Sequence, residues 1–116
     1  MKHFYYTEVP LVDIVGSDAA KRRWLTDPAE GAEVSMMFVE LKPGAATLHH
    51  RHPYEHAMYF LEGMGKVIEE SGASPVAPGE VLHIRVNELH QIRNTGGSTL
   101  RFLAIEAAAK GEKKVK

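Results

Sequence analysis

The chain contains no cysteine. That absence excludes disulfide frameworks, thiolate zinc sites, iron–sulfur clusters and thiol catalysis together. Any metal held by this protein must therefore be held by nitrogen and oxygen. An excess of either charge is also missing: 14 Lys and Arg stand against 15 Asp and Glu, and the pI is near 6.7. A nucleic-acid or anionic-membrane partner would require a basic patch or stripe, so neither is expected. Long apolar runs are lacking, and none approaches the roughly 20 residues that span a bilayer. The N-terminus, Met1 to Glu8, has no apolar core of a secretory signal, so a cytoplasmic protein is the expectation. No long helical pattern is present either.

What is there reads as one domain. A chain of 116 residues that is 44% hydrophobic and 25% charged has the composition of an ordinary globular protein. It is long enough to bury roughly two thirds of its unfolded surface. Residues 1–33 mix short apolar pieces with charge and turn formers and read as an N-terminal arm with one or two short strands. From Val34 the pattern changes to short apolar runs separated by Gly, Pro and Asn, the signature of an all-β sandwich or barrel over 34–106. Strands are expected at Val34 to Leu41, His56 to Glu62, Lys66 to Glu70, Val81 to Val86, His90 to Arg93 and Leu100 to Glu106. Thr47 to His52 forms a further extended piece, and Ser71 to Pro75 reads as a turn. Residues 107–116, lysine-rich at the end, read as a flexible tail that could begin with a helical turn.

The densest signal is histidine. Four of the seven, His49, His50, His52 and His56, fall in HHRHPYEH. A window of that size should hold roughly half a histidine at this composition. Imidazole is the commonest protein metal ligand. A strand has a side-chain period of two, so His50 and His52 share a face while His49 and Arg51 look away. A solvated surface run is the bland alternative for a bare His-x-His.

The glycines around the cluster sharpen it. From Gly44 to Gly63 the order is Gly, five residues, His50-x-His52, three residues, His56, six residues, Gly63. This resembles the first cupin motif, with His56 in the slot that the family fills with glutamate. From Gly79 to Asn94 the chain resembles the second cupin motif, with Gly79, His90 and Asn94 in register. There Arg85 stands for the family's proline and Asn87 for its second glycine. The resemblance covers about half of the chain closely. It implies a cupin jelly-roll-like β-barrel and one divalent metal ion, Fe, Mn, Ni, Cu or Zn, held by His50, His52, His56 and His90. Four neutral imidazoles would leave the site the full charge of the ion, a stronger Lewis acid than a site with a glutamate, and one that favours anionic oxygen ligands.

Parity with the ligands turns Leu48, Met58 and Phe60 inward as pocket walls, and from the last strand Phe102 with Ala104 is preferred over Leu103 with Ile105. Glu55 is a rival to His56 for the acid slot, and otherwise a carboxylate that orients a ligand imidazole or lies on the surface. His83 and Arg85 share a strand face and become substrate-binding candidates if that face points inward. Trp24 is expected to pack the arm against the barrel or a partner subunit. His3 and His49 are expected to lie outside the site. No side chain of the motifs resembles a nucleophile, so chemistry is left to the metal. The resulting expectation is an oxygenase-type enzyme acting on a small organic substrate. Two alternatives stay open, a non-catalytic ligand-binding or metal-binding module and a cupin isomerase or decarboxylase. A homodimer is expected, with apolar residues of the arm such as Val12, Ile14 and Val15 adding a strand to the partner's sheet.

Overall fold

The computed structural model describes residues 1–17 and 19–107. It is an all-β, jelly-roll-like fold of nine strands: β1 Val12–Asp13, β2 Ala20–Thr26, β3 Val34–Leu41, β4 His56–Glu62, β5 Gly65–Glu69, β6 Gly72–Val76, β7 Val81–Ile84, β8 Gln91–Asn94 and β9 Leu100–Ala107. Two sheets enclose the core, one of six strands in the order β1-β2-β3-β9-β4-β7 and one of three in the order β6-β5-β8. They do not close into one continuous ladder. Every pairing within them is antiparallel. No helix among the described residues is long and apolar enough to cross a membrane.

Period-two alternation decides which side chains enter the core. In β4, His56, Met58 and Phe60 are buried while Ala57 and Tyr59 are exposed. In β9, Leu100, Phe102 and Ala104 are buried. Directly opposed residues of an antiparallel pair point to the same face, so the register builds inward rows across the large sheet. One row runs Ser35, Glu106, His56, Ile84; the next runs Trp24, Met37, Ala104, Met58, Leu82; a third runs Arg22, Val39, Phe102, Phe60. Within the third row, Phe60 and Phe102 pack at a centroid distance of 5.0 Å. The N-terminal segment thus contributes β1 and β2 to the main sheet.

Two expectations about strands need correction. The segment Ser71 to Pro75 is a turn only at its start, because Gly72–Val76 pairs with β5. β6 is the edge of its sheet, where a proline without an N–H is tolerated, so Pro75 did not exclude a strand. Thr47 to His52 runs beside β8 without joining it as a strand. It makes isolated bridges, His50 with His90 and Ala46 with Arg93, while the Thr47 hydroxyl takes the Ile92 N–H that a ladder would need. At the C-terminus, Ala107 is the last residue of β9, and the rest of the expected tail lies outside the described residues.

The turn residues of the two motifs hold backbone that ordinary side chains resist. Gly63 has φ of +86°, and a Cβ there would lie 2.6 Å from the Thr99 carbonyl oxygen. Asn87, in the place of a motif glycine, has φ of +62°, a left-handed conformation that asparagine tolerates better than most residues. Arg85, in the place of a proline, donates its backbone N–H to Glu88 Oε1 at 2.8 Å, a bond that proline cannot make. The Asn87 N–H reaches the His52 carbonyl at 2.8 Å, tying this turn to the His-x-His segment.

Candidate metal centre

His50, His52 and His90 come together from two stretches 40 residues apart in sequence. Paired backbone bonds join His50 and His90, N–H to O at 3.2 Å and 3.0 Å. The three imidazoles offer ligand nitrogens that all lie within 4.8 Å of one another. Two rings are oriented by carbonyl oxygens. His52 Nδ1 lies 3.1 Å from the Tyr54 carbonyl and His90 Nδ1 lies 2.8 Å from the Glu88 carbonyl. A carbonyl can only accept, so each Nδ1 carries the proton and each Nε2 presents a lone pair. His52 Nε2 is buried and has no hydrogen-bond partner. A buried, unpartnered imidazole nitrogen beside two others is the arrangement that a divalent ion would satisfy.

His56 joins the cluster by ring contact. Its ring stacks on His52 at a centroid distance of 4.0 Å and lies 5.3 Å from His90. Its Nε2 sits 3.0 Å from Glu106 Oε2, although neither ring nitrogen makes a well-directed hydrogen bond. The mutual grouping of ligand nitrogens therefore contains three histidines among the described residues, and His56 stands beside it facing a carboxylate.

The electrostatics favour neutral imidazoles. Burial, reinforced by the neighbouring His56, depresses His50 below the ordinary imidazole range. Burial and then His56 bring His52 down to about 4. Burial also lowers His90, against the pull of the Glu88 carbonyl. For Glu106, burial would raise the carboxyl, but contact with His56 and the charges of His52 and Arg22 outweigh it and hold the group below its ordinary value. Lowered imidazoles give up their protons more readily and so are readier to coordinate.

These residues line a cavity of about 440 Å³ on the inner face of the six-stranded sheet. Its walls include Leu48, Met58, Phe102 and Ala104, together with Trp24, Met37 and Val39. Phe60, expected among the walls, is fully buried behind Phe102 and is not part of the lining. His83 and Arg85 are exposed, because Ile84 of the same strand turns into the core. Glu55 pairs with His83 on the surface at 3.0 Å rather than with a cluster histidine. His49 and His3 are exposed outside the cavity.

Two charged residues of the cavity, Glu106 and Arg22, were not found from the sequence. Glu106 follows from the same alternation that turned Phe102 and Ala104 inward, carried one step further along β9. Arg22 could not be found that way, because its inward face depends on the register of β2 against β3. Glu106 is the lone carboxylate and Arg22 the lone guanidinium or ammonium group among the described lining residues.

Residues 37–106 match the Cupin_2 family model, a cupin domain. Over 82 residues the chain is 34% identical to Auxin-binding protein 1 of Arabidopsis thaliana, covering 63% of this chain and 41% of that protein. Over 68 residues it is 34% identical to the oxalate-binding protein of Thermotoga maritima, covering 58% of this chain and 56% of that protein. The chain thus spans about half the length of these curated relatives. Among solved structures, the polyketide cyclase RemF from Streptomyces resistomycificus superposes with a TM-score of 0.84 at 29% identity, covering 92% of this chain and 79% of that one.

Proposed function

This chain belongs to the cupin domain family, and on that premise we propose that it is a mononuclear divalent-metal enzyme acting on a small oxygen-bearing organic substrate. His50, His52 and His90 hold the ion, and His56 completes a four-histidine site. The observation that carries this reading is the grouping of three imidazole nitrogens within 4.8 Å, with His52 Nε2 buried and unpartnered, on the wall of a largely apolar cavity. When bound, a divalent ion supplies Lewis acidity and, if redox-active, a path for electrons between substrate and dioxygen.

The protein's own residues supply the rest. The Tyr54 and Glu88 carbonyls fix the tautomers of His52 and His90, which leaves both Nε2 lone pairs free to coordinate. Glu106 holds the imidazole proton of His56 at Oε2 or takes a proton from the substrate. Met37, Met58 and Phe102 exclude bulk water and strengthen each polar contact inside.

Oxygenase-type turnover is the redox form of this proposal. A redox-neutral cyclisation or isomerisation is its second form, favoured by the likeness to a polyketide cyclase over most of the chain. Reconstitution with iron, manganese, nickel, copper and zinc in turn is the test. Oxygen uptake with diketone or flavonol substrates, confined to the redox-active forms, supports the first form; anaerobic turnover by the zinc form supports the second. Background activity of every form, or the absence of one bound ion per chain, rejects the enzyme.

The chain is also proposed to form a homodimer. β1 is the edge of the six-stranded sheet and Val12 on it is exposed, so this edge is open to a partner strand. Sedimentation at micromolar concentration tests this, and a stable monomer rejects it.

A further inference from the structure

The guanidinium of Arg22 has little to hold. It lies in β2 opposite Val39, two residues before Trp24, and the register turns both side chains into the cavity. Its Nε is buried and has no hydrogen-bond partner among the described residues. Among those residues its one side-chain hydrogen bond, from Nη1, goes to the Met37 sulfur at 3.6 Å, a weak acceptor. Its Cζ sits 4.6 Å from the centre of the Trp24 ring, which orients the fork without satisfying its donors. It makes no ion pair within 4.0 Å with any carboxylate of the described residues; the Glu106 charge acts on it only from a longer distance. An arginine offers five N–H donors in a planar fork; Arg22 is half-buried, and its buried Nε–H, left without an acceptor, is costly unless an anion arrives.

We infer that Arg22 is the anion anchor of the cavity, and that the ligand is a small monocarboxylate with an apolar body. Carboxylate and guanidinium match as bidentate partners, which a neutral oxygen does not. The body is received by a wall made of Phe102, on Arg22's own inward row, and of Trp24, Met37 and Met58 on the neighbouring row. A dianion of high charge density is disfavoured by Glu106, the second charge in the lining. The cavity of about 440 Å³ lies within the range of small-molecule sites. This assignment deepens the proposed function and rests on reading the cavity as a substrate site; Arg22 itself lies outside the histidine cluster.

The only tryptophan of the chain, Trp24, stands under the Arg22 guanidinium and reports on it directly. Benzoate and its uncharged isostere benzamide are titrated against the metal-free and the zinc-loaded full chain, with Trp24 emission and calorimetry as readouts. The expected result is saturable binding of benzoate, about tenfold tighter than benzamide, in the metal-free protein already. Arg22→Met should abolish that preference and leave benzamide affinity unchanged, which also shows that the cavity is intact. Arg22→Lys keeps the charge but not the fork, and should lose several-fold in benzoate affinity; it decides the matter if Arg22→Met fails to fold. Wild-type protein that does not prefer benzoate, or variants that bind it as tightly as wild type, would overturn the inference. Stoichiometric metal on the histidines with Arg22-independent benzoate binding removes the anchor and leaves the metal reading. Arg22-dependent benzoate binding by a protein that takes up no metal does the reverse.

Discussion

His56 and Glu106 face each other across the β4–β9 ladder, with Nε2 and Oε2 3.0 Å apart. The relationship bears on the one position where the first motif departs from its family. A carboxylate is present at the site after all, but it comes from the neighbouring strand and touches the histidine that occupies the motif's acid slot. His56 Nδ1 is buried and has no hydrogen-bond partner among the described residues, so a proton held at Nε2 by Glu106 would leave Nδ1 with a free lone pair for a metal ion.

Substitution at this pair should separate the two roles. His56→Glu restores the family's pattern and should retain one metal per chain, whereas His56→Ala should weaken metal binding. Glu106→Gln keeps the shape and removes the charge, and should lower metal affinity by about tenfold to a hundredfold, as is usual for partners of ligand histidines. Competition titration with a chromophoric chelator measures all three, and unchanged affinity in Glu106→Gln would show that the carboxylate is a bystander.

His50→Ala and His90→Ala each remove one of the three grouped nitrogens. Each should reduce bound metal in the untagged protein to well below one per chain, by elemental analysis. Metal that persists in both variants would place the ion elsewhere.

Acid should act on the metal-free protein through its neutral histidines. His52 has a folded value of about 4 against an ordinary 6.5, and His50 and His90 are also lowered. A depressed imidazole means that the unfolded chain binds protons first. The stability from these groups is therefore complete above about pH 6.5 and is lost as pH falls toward about 4. Glu106, also lowered, acts in the same direction at the acid end. Urea unfolding across this range should show the decline, and the His52 proton resonance should titrate near its folded value; a level stability profile would contradict it. Metal release should fall in the same window, since protons compete for the same nitrogens.

Asn94 tests the scaffold apart from the site. Its buried amide donates to the Leu41 and Ser98 carbonyls at 2.9 Å and 2.8 Å, and its oxygen accepts from the Gly96 N–H at 2.9 Å. Asn94→Ala leaves these groups without a partner and should cost about 2–4 kcal/mol in urea unfolding. A loss under about 0.5 kcal/mol would mean that water replaces the amide, which a residue 2% exposed makes difficult.

Much of the site was legible in the chain because its signals are local. His50 and His52 share a side by the two-residue period, and that period also turns His56 and Met58 inward together. The glycine spacings located His90 although it lies 40 residues beyond His50. Two segments were misread because neighbours decide them: Pro75 is compatible with a strand only at a sheet edge, and Thr47 leaves the ladder by using its hydroxyl.

The sequence by itself determined the ligand chemistry, imidazole-rich and without thiolate, and the alternation that gives each strand one inward face. Tertiary structure decided which inward faces meet. Glu106 and Arg22 reach the histidine cavity only through the registers of β9 against β4 and of β2 against β3. Those registers are set by turning three rows inward at once between distant segments, and no local pattern encodes such pairings.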